Sequence, residues 1–120
     1  MSTFVKTITQ DKVNYEFLRS LNGIMGLTQR ELEVFELILS IETAGSRLRP
    51  KKRYVDTKDT RKQIMSESGV TRDNLSRYMS TFKAKGLLVL EKDDYIINKA
   101  LIPLVIGGTT VQITLVLKIK

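Results

Sequence analysis

The sequence predicts an α+β fold, and three features carry that expectation. A capped helical pattern with a wide apolar face runs over 28–43, two shorter helical patterns (58–68 and 71–85) flank a glycine, and a strand–turn–strand pattern occupies 87–98. With 120 residues, 42% of them hydrophobic and 28% charged, the chain suits one small core with an appendage rather than a disordered segment.

At the N-terminus, 3–9 alternates loosely, with Phe4, Val5 and Ile8 among Thr and Lys, and is expected as a short edge strand. Phe17, Leu18 and Leu21 then stand at helical spacing over 14–21, and Asn22-Gly23 supplies the stop. This first unit, 1–26, is expected to pack on the core. Thr28-Gln29-Arg30-Glu31 is a capping box, in which the Thr hydroxyl accepts the N3 amide and Glu31 reaches back to the cap amide. Beyond it, Leu32, Val34, Phe35, Leu37, Ile38, Leu39 and Ile41 oppose a polar stripe of Arg30, Glu33, Glu36 and Ser40. So wide an apolar face marks a central helix, ending near Thr43.

The stretch 47–54 (RLRPKKRY) is expected as a loop, and 53–56 as a short strand, because Tyr54 and Val55 favour extended backbone. Thr57 or Asp59 caps the next helix, which passes through Ile64 and Met65 to Ser68, and Gly69 takes the positive φ of a tight turn. Thr71 caps a further helix whose Leu75, Met79 and Phe82, at i, i+4 and i+7, form the buried stripe before Lys85-Gly86. Strands 87–90 and 95–98 flank the polar turn Glu91-Lys92-Asp93-Asp94. The last unit, 99–120, reads as a C-terminal β-hairpin: 101–106, a two-residue Gly107-Gly108 turn, and 109–119 with Val111, Ile113, Leu115, Leu117 and Ile119 on one face.

Composition narrows the chemistry. Cysteine and histidine are absent, which removes the thiol nucleophile, Cys-ligated metal sites, the usual general base and the commonest transition-metal ligand. Neither an enzyme nor a metal or other cofactor is expected. Asp93-Asp94 reads as a solvated turn, and Gly107-Gly108 lacks the spacing of a phosphate-binding loop. Residues 1–10 show no apolar signal region, and the longest apolar run, 100–106, contains Pro103 and falls well short of the roughly 20 residues a membrane helix needs. A cytoplasmic protein without a membrane partner is the expectation.

The net charge of +7 favours a polyanionic partner, and its location sharpens the point. Between residues 43 and 62, Arg47, Arg49, Lys51, Lys52, Arg53, Lys58, Arg61 and Lys62 stand against Asp56 and Asp59, a local net of +6. Charge so concentrated suits the phosphate backbone of nucleic acid. A solvated loop, or one ordered by an acidic protein, is the alternative.

The order helix, short strand, helix, helix, strand–turn–strand over 27–98 resembles the winged helix-turn-helix family of DNA-binding domains. Its most specific piece is 61–98, RKQIMSESGVTRDNLSRYMSTFKAKGLLVLEKDDYIIN, which is similar to MarR-type and plasmid RepL-type domains in Ile64, Gly69-Val70, Leu75, Met79 and the Lys85-Gly86-Leu87 exit. The segment 27–38 (LTQRELEVFELI) is similar to the opening helix of LuxR-type domains, but the insertion 47–54 and the strand after Gly86 depart from that pattern. The resemblance implies a protein that lays helix 71–85 in the major groove of double-stranded DNA, as a transcriptional regulator or replication accessory of mobile-element type. Arg72, Asn74, Ser76 and Arg77 would read bases; Thr71, Ser80 and Lys83, with Arg47, Arg49, Lys51, Lys52 and Arg53 of the loop, would hold phosphates. Net charge over 71–85 is +3, although any solvated helix face also carries polar residues at this spacing. The hairpin tip, with Glu91, Asp93 and Asp94 around Lys92, departs from the family's basic wing. A homodimer or larger assembly through 109–119 would cover the aliphatic face of that segment. The alternative function is a structural or interaction protein, such as a phage virion or assembly component, that reuses the fold and docks through the C-terminal hairpin.

Overall fold

The computed structural model describes residues 5–9, 12–46, 55–101, 105–106, 110–111 and 119, without the side chains of 43–46, 105–106 and 110–111. Among these residues the fold is α+β: four α-helices, a two-stranded antiparallel hairpin packed on them, and a second, shorter strand pair.

The first helix, α1 (Val13–Met25), buries Phe17, Leu18 and Met25. It does not stop at Asn22-Gly23 as expected. Gly23 stays helical, at a cost of about 1 kcal/mol, and the chain turns at Gly26 (φ 67°), whose N–H donates to the Asn22 carbonyl. The Asn22 side chain serves the next turn instead, accepting from Leu27 N at 3.0 Å and donating to Leu27 O at 3.1 Å. Residues 5–9 form no strand: Val5 is exposed, and Lys6 instead pairs with Glu16 of α1 at 2.7 Å. Residues 3 and 4 of that expected strand lie outside the described set.

Helix α2 (Gln29–Ser46) begins with the expected reciprocal cap: Thr28 N donates to Glu31 Oε1 at 2.8 Å, and Glu31 N to Thr28 Oγ1 at 3.2 Å. It runs three residues past Thr43. Leu32, Val34, Phe35, Ile38 and Leu39 are buried, with Leu37 and Ile41 packed beside them, so α2 meets both α1 and α3. Helices α3 (Lys58–Ser68) and α4 (Arg72–Ala84) follow, capped by Thr57 and Thr71. Phe35 of α2 and Phe82 of α4 meet edge to face, centroids 5.1 Å apart, joining the two at the centre of the core.

Strands β1 (Leu88–Glu91) and β2 (Asp94–Ile97) pair Leu88 with Ile97 and Glu91 with Asp94. The turn is therefore two residues, Lys92-Asp93, rather than the four expected, and Lys92 enters the left-handed region at φ 58°. The strand expected over 53–56 reduces, in its described part, to a single ladder bond: Val55 N donates to Tyr95 O at 2.9 Å, and Val55–Thr57 is a bend. The chain has to turn there, because Thr57 already caps α3.

After a 3-10 turn, Lys99–Leu101, strands β3 (Val105–Ile106) and β4 (Thr110–Val111) pair in antiparallel fashion. Leu101 is thus not the start of a strand. Ile106 faces Thr110, so three residues connect the strands where Gly107-Gly108 alone was expected. Residues 109 and 112–118, the greater part of the proposed assembly segment 109–119, lie outside the described set, as do Gly107 and Gly108.

Candidate nucleic-acid interface

The turn between α3 and α4 is built from local chemistry. Gly69 (φ 73°) closes α3 with its N–H on Met65 O, a backbone conformation that costs a residue with a Cβ about 1–2 kcal/mol. Arg30 of α2 reaches across to donate to Ser68 O at 2.9 Å, and Ser68 Oγ accepts from Val70 N at 3.2 Å. Val70 is buried, which anchors the turn, and Thr71 Oγ1 then accepts from Asn74 N at 3.3 Å. Asp73 in the first turn of α4 complements the helix dipole.

With Leu75, Met79 and Phe82 facing the core, α4 sorts the residues expected to contact DNA into different sides. Arg77 and Ser80 lie on the outer face with Asp73, and Arg72 is exposed at the first turn. Asn74 is half-buried on one flank, bonded by Arg77 Nη2. Ser76 and Lys83 lie on the other flank and are turned inward, towards α3 and the hairpin. Ser76 Oγ accepts from Arg61 Nη1 at 3.2 Å. Lys83 Nζ is bonded to Asp56 at 2.6 Å and stands 4.3 Å from the centroid of the Tyr95 ring.

Asp56 is the centre of that inward cluster and was not singled out from sequence, where it counted only as one acid among many cations. Its carboxylate, 11% exposed, accepts Arg61 Nε at 2.5 Å through one oxygen and Lys83 Nζ through the other. Burial pushes its pKa upward, but the hydrogen bonds from Arg61 and Lys83 outweigh that and hold the carboxyl below its ordinary value. Because Val55 beside it is bonded to Tyr95, this cluster connects the segment before α3, both helices and β2. Two of the cations that swell the net charge are thereby spent inside the fold.

Lys58, Lys62 and Arg72 are exposed and make no ion pair among the described residues. Arg47, Arg49, Lys51, Lys52 and Arg53 lie outside the described set. At the far end of α4, Lys85 Nζ donates to Met25 O at 2.9 Å and Gly26 O at 3.2 Å, capping α1. An open groove there, about 360 Å³ between Ile24, Met25, Leu87 and Leu101, has its polar rim consumed in the same way, since Asn98 donates to Gly86 O. Tyr78 and Tyr95 pack against the core, as do Met25, Met65 and Met79.

Among the described residues no helix is long and apolar enough to cross a membrane. Comparison with protein-family models, with curated proteins and with solved structures returned no match.

Proposed function

We propose that this chain is a small winged helix-turn-helix protein that binds double-stranded DNA with α4 in the major groove, acting as a transcriptional regulator or replication accessory of mobile-element type. The observation that carries the reading is the outer face of α4: Arg77 and Ser80 face solvent opposite the buried Leu75, Met79 and Phe82, and Arg72 is exposed in the first turn. A helix held from behind by its apolar stripe, with an arginine in front and another exposed at its start, has the form that groove insertion requires. The tight Gly69 turn supports it by setting α3 against α4, and the exposed Lys58 and Lys62 of α3 would hold phosphates. Lys83 and Ser76 leave the contact set, because Asp56 and Arg61 hold them. The acidic β1–β2 tip takes no part in groove reading.

The test is anisotropy of a labelled duplex at about 50 and about 200 mM salt. About four phosphate contacts predict an affinity loss near 100-fold between the two. The K58A/K62A double variant should weaken every sequence alike, while Lys83→Ala should leave the salt slope unchanged. No binding at the lower salt would overturn the reading, and concentration-dependent light scattering in the same sample would then favour the structural, self-assembling alternative.

A further inference from the structure

We infer that Asn74 and Arg77 form one reading unit for guanine, with Arg77 making the base contact and Asn74 positioning it. The inference rests on the DNA-binding reading above and adds which base the helix selects. The two residues lie three apart on α4, where side chains meet, and Arg77 Nη2 donates to Asn74 Oδ1. A guanidinium carries donors alone, so the amide must turn its oxygen inward and its NH₂ away.

The hydrogen-bond inventory follows from that orientation. A guanidinium plane has two double-donor edges, Nε with Nη2 and Nη1 with Nη2. A bond through one Nη2 hydrogen uses one edge and leaves the other whole. What Arg77 turns to a ligand is therefore a pair of adjacent donors. In the major groove, guanine shows two adjacent acceptors, O6 and N7; adenine shows an acceptor beside a donor, cytosine a donor, and thymine one acceptor beside a methyl. Guanine is the match. An Asn that reads adenine aims its Oδ1 at the N6 amino group and its NH₂ at N7, and here the bond from Arg77 takes one lone pair of that oxygen and ties the amide's orientation to the guanidinium. Asn74 is thus a positioning residue, in place of the adenine contact its type suggests.

Charge points the same way. Asp73 stands four residues before Arg77, at ion-pair spacing, yet Arg77 is bonded to the neutral Asn74 instead. Its positive charge stays available to the groove, while the bond restricts a side chain that otherwise loses rotamer freedom on binding.

Selection from a randomised duplex, followed by sequencing, tests this with the wild type and the R77A, R77K, N74A and N74D variants, each first checked for an unchanged melting temperature. The wild type should enrich sites containing a guanine whose replacement by adenine weakens binding about 10- to 100-fold. Arg77→Ala should make the four bases equivalent there, and Arg77→Lys should weaken the preference. Asn74→Ala should keep guanine with reduced discrimination, and Asn74→Asp, which retains an acceptor for Arg77 but pairs its charge, should keep the guanine preference at a lower overall affinity. An adenine preference that vanishes in N74A, or a guanine preference that survives R77A, would overturn the inference. Duplex binding without any enriched sequence would overturn it too while leaving DNA binding intact, whereas no duplex binding at all would remove both.

Discussion

Asp56 shows how a single carboxylate redistributes the meaning of a charge count. It neutralises Arg61 and Lys83, fixes Lys83 over Tyr95 and leaves the outer face of α4 to other residues. Hydrogen bonds to a charged group of this kind are worth about 1.5–3 kcal/mol, so Asp56→Asn is expected to destabilise the fold by about 2 kcal/mol at pH 7 in urea denaturation. The sign of the pH dependence follows from the lowered pKa. The stabilisation is complete above the ordinary carboxylate value of 3.8 and is lost as pH falls through the lower value of the folded state. The wild type and D56N should therefore converge in stability below about pH 4 and differ most at neutrality; a constant gap across that range would show that packing, not charge, sets the difference. None of this is legible in the sequence, because a residue list counts cations without saying which acid each one meets.

At the scale of elements, the helices that carry their own end signals were the readable ones. Thr28 with Glu31, Thr57, Gly69 and Thr71 each act within a few residues, so α3, α4 and the start of α2 follow from local chemistry. Ends that depend on a distant partner were not readable. Val55 makes its ladder bond to Tyr95, forty positions later, and α1 outlasts its expected stop because Met25 is buried and Lys85 caps its last carbonyls. The hairpin turn went the same way: pairing of Glu91 with Asp94 shortens it and drives Lys92 to positive φ. That conformation disfavours a side chain with a Cβ, so Lys92→Gly is expected to raise stability by about 0.5–1 kcal/mol. A rise in the thermal midpoint measures it, and a fall would show that the Lys92 side chain is needed at the turn.

For the molecule as a whole, the candidate site and the core are opposite faces of the same helix, which makes stability and recognition separable by residue. Phe82 is fully buried against Phe35, and truncating such a ring costs about 3–5 kcal/mol. Against a total of about 5–15 kcal/mol for a small domain, Phe82→Ala should leave much of the protein unfolded near 40 °C, and under the proposed function its loss of DNA binding should track the folded fraction. Arg77, exposed on the other side of α4, belongs to the class of surface positions whose replacement moves stability by no more than about 0.5 kcal/mol. Circular dichroism melts run beside duplex titrations should therefore place the two variants on different axes, F82A losing both properties together and R77A losing sequence preference at an unchanged midpoint. If R77A melts early, the outer face of α4 is part of the scaffold, and recognition has to be sought in the basic residues of 47–53.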